Sequence, residues 1–133
     1  MISKVVYRGD LRTEAVHISS GNKIVTDAPK DNEGKGEAFS PTDLVATALA
    51  GCILTIIGIV AKRLDQNLNG TFAEVEKLMG SKPRSISEIK VTIYFSKKIL
   101  KKERAKLERA AKTCPVSLSL NPNVVKVINF VYQ

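Results

Sequence analysis

The chain has no tryptophan, four phenylalanines, three tyrosines, one histidine and two cysteines among 133 residues. Each scarcity closes off a class of protein. Two cysteines are too few for the disulfide framework of a small secreted domain. With His17 as the single histidine they cannot complete a Cys/His metal cage, so no metal site is expected. No aromatic ribonucleoprotein motif, Gly-x-x-Gly clamp or helix-turn-helix spacing is present. The segment Met1 to Tyr7 lacks the basic and continuous apolar regions of a secretory signal, which makes the cytoplasm, with reduced thiols, the expected compartment. Without an internal repeat or a low-complexity tract, the length reads as a single domain over residues 1–133.

What is plentiful is positive charge, with a formal net charge of +8. Much of it lies between Lys97 and Lys112, where Glu103 and Glu108 interleave and Ile99, Leu100 and Leu107 supply apolar contacts. That is the pattern of a solvated helix face, and no nucleic-acid partner is expected from it.

The stretch from Ser40 to Arg63 reads as one long helix. Ser40 can cap it, Pro41 suits the first helical position, and Asp43 can reach back as the acidic half of a capping box. From Leu44 to Ala61 there is no charge, and the apolar residues do not keep to one stripe, so the helix is expected to be covered on nearly all sides. The run just reaches the roughly 17 to 25 residues needed to cross a bilayer, but Ala, Gly and Thr dilute it and its surroundings read as soluble strands and helices. A buried central helix is the reading adopted, with no membrane partner.

The remaining pattern is mixed. Val5 to Tyr7, Glu14 to Ile18 and Lys23 to Val25 form an antiparallel meander, and Asp27 to Ala38 is a mobile loop. His17, alone in an alternating strand, is a surface or half-buried filler. Thr71 to Met79 is a weak strand. In the clearest strand, Ile89, Val91, Ile93 and Phe95 share one face, which should lie on the long helix. A second helix from about Leu100 to Lys112 ends before Cys114-Pro115. Val116 to Asn123 is a turn-rich connection, and Val124 to Val131 is the last strand. The class is α+β.

Cys52 lies about three turns inside its helix, beyond the favourable field of the helix N-terminus, and burial among Ile and Leu raises a thiol pKa. Taken alone it reads as a small buried hydrophobe; a reactive thiolate needs a cation brought from elsewhere.

Two contexts carry a resemblance. Ser40-Pro41-Thr42-Asp43-Leu44 through Ala50-Gly51-Cys52, followed by Thr113-Cys114-Pro115-Val116, resembles the two-cysteine signature of the OsmC/Ohr family of organic hydroperoxide reductases. Tyr7-Arg8-Gly9-Asp10-Leu11-Arg12 is similar to the N-terminal strand and turn of its OsmC branch. The resemblance implies an α+β fold, with antiparallel sheets wrapped around a long cysteine-bearing helix, in two chains that interlock as a homodimer with the long helices buried at the centre. It implies Cys52 as the peroxidatic thiolate acting on a small organic hydroperoxide, Cys114 as the resolving thiol, and an external dithiol as reductant, with no cofactor. Arg12, or next Arg8, would supply the cation.

One position departs from the pattern. The family's peroxidases resemble Asn-Pro-Glu at the helix start, where the Glu holds the arginine; here the matching residue is Thr42. Asp43 is a poor substitute, since nine steps of roughly 100° put it about half a turn round the helix from Cys52. Glu37, in the loop before, could swing in, though nothing in the sequence places it. The departure keeps open an alternative, a non-catalytic dimer of the same fold that holds a small ligand in its cysteine pocket.

Overall fold

The computed structural model describes all 133 residues and divides into two compact units, Met1–Val45 and Ala46–Gln133.

The first unit is an antiparallel meander of β1 (Ser3–Gly9), β2 (Arg12–His17) and β3 (Lys23–Asp27) in the order β1-β2-β3. Asp10 and Leu11 turn the first hairpin with φ of 53° and 62°, the twist a two-residue hairpin requires. Pairing of Gly9 with Arg12 and of Arg12 with Asp27 brings the start of β2 beside the end of β3. His17 is exposed and bonds Ser20 and Ser19, as expected of a surface residue.

The segment expected to be a mobile loop follows a pinned path. Gly34 N–H donates to the Pro29 carbonyl at 2.9 Å and Gly36 N–H to that of Ala28 at 3.2 Å, around a single 3-10 turn at Lys30–Asn32. Gly34 is required here: a Cβ would lie 1.7 Å from the Ala28 carbonyl oxygen.

The long helix α1 (Pro41–Arg63) starts with the anticipated capping box. Asp43 N–H donates to Ser40 Oγ at 3.0 Å, and Ser40 N–H to Asp43 Oδ2 at 2.9 Å. Asp43 is therefore engaged in its own helix start, as the sequence suggested.

In the second unit, β4 (Phe72–Gly80), β5 (Ser85–Tyr94) and β6 (Val125–Val131) form a sheet in the order β4-β5-β6. β4 and β5 are antiparallel, but β5 and β6 run parallel, so this sheet is mixed where antiparallel pairing was expected. The reason lies in the connection: the chain passes through α2 (Lys101–Ala111) and α3 (Pro115–Ser119) before it returns to the sheet. The α+β class stands.

Alternation along β5 puts Ile89, Val91 and Ile93 on its inner face, and with Phe95 beyond its end they share one buried core with Ala46, Leu49, Ala50, Ile53, Ile57 and Ala61 of α1. Ile99, Leu107, Ala111 and Cys114 complete it. Leu100, expected to pack inward, stays outside, and Glu103 is buried instead, paired with Lys106 at 3.1 Å. At the far edge Tyr132 stacks on Phe95 with centroids 4.6 Å apart, donates to Glu108 at 3.0 Å and carries Arg104 over its ring, which fastens α2 to the end of the sheet.

The long helix is covered on one face only within a single chain, in contrast to the all-round burial expected from its composition. One three-stranded sheet and two short helices cannot enclose an apolar rod of this length. Ala48, Gly51, Thr55 and Ile59 are exposed along the opposite side. Apart from the helix backbone, a Cβ on Gly51 or Gly58 would meet no atom within 4 Å.

Ile53, fully buried, is expected to be a keystone of this core. Ile53→Ala should destabilise the chain by about 2–5 kcal/mol and Ile53→Val by about 1 kcal/mol, measured from the urea unfolding midpoint.

Candidate functional site

Cys52 stands next to Ile53 on α1, at the border between the helix's buried stripe and its exposed side, and is half-buried. Cys114 is fully buried in the core of the same unit. It precedes Pro115, which occupies the first turn of α3, so the expected turn-rich connection opens with a five-residue helix. The Ser117 N–H donates to Cys114 Sγ at 3.4 Å, which makes the sulfur the cap of that helix.

The structure brings the two cysteines near each other: Cys52 lies close enough to disfavour ionisation of Cys114, and both are free thiols. Burial pushes the Cys114 thiol above its ordinary value, the neighbouring Cys52 pushes it further, and the Ser117 N–H opposes both. At neutral pH Cys114 is thus a protonated, enclosed thiol with a more accessible one nearby. Two neighbouring thiols are the reactants that disulfide formation requires.

Arg12 lies at the start of β2 and is gripped by carboxylates of its own unit. Nε donates to Asp27 Oδ1 at 2.7 Å and Nη2 to Asp27 Oδ2 at 2.8 Å, a bidentate pair. Nη2 also meets Glu37 Oε2 at 3.3 Å. The loop residue that sequence alone could not place is therefore at the arginine. Asp27 is 2% exposed, and its Oδ2 accepts the Glu37 N–H at 3.1 Å as well. The Arg12 hydrogen bonds hold the Asp27 carboxyl below the usual carboxylate range despite the opposing effect of burial, and Asp27 raises the Arg12 guanidinium in return.

Arg8 sits in a different setting, with Nη2 on Glu14 Oε1 at 2.8 Å and a side chain more than half exposed. The sequence reading put Asp27 at the start of the mobile loop; it is instead the last residue of β3, paired with Arg12. That pairing is set by strand register, which the sequence of β3 alone does not show.

Comparison with known proteins follows this geometry. A family model described as OsmC-like protein matches residues 34–128. No curated protein matches the sequence. Among solved structures, one from Psychrobacter arcticus 273-4, provisionally described as an osmotic stress induced and detoxification response protein, is 49% identical, with 98% of this chain and 96% of that one covered and a TM-score of 0.95. A Legionella pneumophila organic hydroperoxide resistance protein OsmC is 18% identical over 98% of this chain and 96% of its own, with a TM-score of 0.76. An organic hydroperoxide resistance protein from Elizabethkingia anophelis is 14% identical over 100% and 97%, with a TM-score of 0.77. At that identity the last two speak to the fold.

The burial contrast between the thiols has a direct chemical readout. Iodoacetamide at pH 8 should place one adduct on the folded protein, at Cys52. Cys114 should react at least tenfold more slowly until the chain is unfolded in urea, as followed by peptide mass spectrometry.

Proposed function

The chain belongs to the OsmC-like protein family, and on that premise we propose that it is a thiol-dependent peroxidase that reduces organic hydroperoxides to alcohols in defence against oxidative stress. The observation that carries this reading is the proximity of the half-exposed Cys52 to the enclosed Cys114. In the first step the Cys52 thiolate attacks the distal peroxide oxygen and the O–O bond breaks. The departing alkoxide takes a proton from solvent and leaves as the alcohol, and Cys52 becomes a sulfenic acid. The Cys114 sulfur then attacks that of Cys52, forming the disulfide and expelling water with the thiol proton. An external dithiol returns both cysteines to thiols by exchange and is itself oxidised.

Cys52 and Cys114 are the redox pair in this scheme, and Arg12 is the cation that favours the ionised sulfur. Arg12 is preferred to Arg8 because two carboxylates of its unit give its guanidinium a defined orientation, whereas Arg8 has one partner at the surface. The need for a dithiol fits a reducing, cytoplasmic setting. A homodimer belongs to the same reading, supported by the apolar side of α1 that a single chain leaves open. The second copy would cover Ala48, Gly51, Thr55 and Ile59.

Reduced protein mixed with cumene hydroperoxide should yield cumyl alcohol with loss of both thiols, and the intact mass should fall by two hydrogens. Cys52→Ser should abolish the reaction, while Cys114→Ser should stop after a single turnover with Cys52 left as sulfenic acid, trapped by dimedone. Equal, slow peroxide loss by wild type and Cys52→Ser, with no change in mass, would leave the ligand-binding dimer instead. Sedimentation should give twice the chain mass, and Ile59→Glu should shift the equilibrium toward the monomer at micromolar concentration.

A further inference from the structure

We infer that Asp27 is the positioning residue for Arg12: a buried carboxylate that fixes the plane of the guanidinium and leaves its Nη1 edge as the one not occupied by the contacts described. The inference rests on the peroxidase reading for its kinetic consequence, but its geometry lies wholly within the first unit.

A carboxylate is needed because an arginine on a short strand has several rotatable bonds, and a cation that wanders among rotamers contributes little to any one reacting group. The helix start does not offer one. Position 42 is a threonine, and the carboxylate of Asp43 accepts the Ser40 N–H in the capping box.

The two carboxylates that do reach Arg12 are unequal. Asp27 makes two short, nearly parallel bonds, at 2.7 and 2.8 Å, from a residue 2% exposed, and a third from the Glu37 N–H holds its Oδ2 in place. Glu37 makes one bond of 3.3 Å from a side chain 64% exposed. Charge-assisted bidentate pairs shielded from water are strong and directional, whereas an exposed single contact contributes little and is screened by salt. Asp27 is therefore the fixed support and Glu37 a weaker second contact.

Neither Asp27 bond nor the Glu37 bond uses Nη1, so the guanidinium keeps a pair of N–H donors for an anion while its other edge is anchored. The arrangement also explains why the loop is pinned. Glu37 N–H lands on Asp27 Oδ2 only because Gly34 and Gly36 hold the preceding turn against Pro29 and Ala28.

The test compares wild type, Asp27→Asn, Glu37→Gln, Arg12→Gln and the Arg12→Gln/Asp27→Asn double variant in full-length protein. Two readouts are taken: the single-turnover rate of Cys52 oxidation by cumene hydroperoxide, and the solvent exchange of the Arg12 Nε–H by nitrogen-15 NMR. Asp27→Asn should slow oxidation about 100-fold and speed Nε–H exchange at least tenfold, and Glu37→Gln should slow oxidation only about threefold. The double variant should be no slower than Arg12→Gln alone, since Asp27 acts through the arginine.

An Asp27→Asn rate within threefold of wild type, or losses that multiply in the double variant, overturns the inference. So does an Arg12 Nε–H in wild type that exchanges as fast as in a free arginine. That NMR measurement needs neither turnover nor a folded Asp27→Asn variant. It therefore separates this inference from the peroxidase reading, which fails on its own if wild type and Cys52→Ser consume peroxide alike.

Discussion

The seating of Leu49, Ile53 and Ile57 in one core with Ile89, Val91 and Ile93 is the constraint on which the second unit depends. Each of these side chains is fully buried, and removing one such residue from water stabilises by about 1.5–3 kcal/mol. The same core includes Cys114 and has Cys52 packed against it, so packing sets where both sulfurs lie. The same packing makes the two sulfurs unlike. Cys52 follows the small Gly51 toward the open side of the helix, and Cys114 is sealed beneath α2, which the Tyr132 contacts clamp to the sheet.

The first unit is organised by charge more than by oil. Its exposed ion pairs, such as Arg8 with Glu14, are of the kind that contributes little to stability. Arg12 with Asp27 is of another kind, because one member is shut away from solvent and bonded on both oxygens. A buried carboxylate deprived of its cation is strongly disfavoured. The sheet edge is thus committed to keeping the arginine where it is.

Much of this was legible from residue order. The capping box of Ser40 and Asp43, the inward face of β5, the meander and the second helix follow from spacings of two, three and four residues, which local geometry enforces. The family signature drew attention to both cysteines. Three features depend on chain segments far apart in sequence and left no local mark. The parallel pairing of β5 with β6 is decided by the route through α2 and α3. The partial cover of α1 reflects how little sheet one chain supplies, whereas hydrophobic content alone cannot say which body does the covering. Asp27 took its meaning only from register, because nothing in Ile24-Val25-Thr26-Asp27 shows that an arginine stands opposite.

Gly34 sets a limit on how this molecule can vary. Any other amino acid there would collide with the Ala28 carbonyl, and the turn could relieve the collision only by lifting the segment that carries Glu37. Asp27, being part of a strand, would stay behind. A lineage thus has a single-codon route to loosen the outer acid from the guanidinium while the inner one is retained.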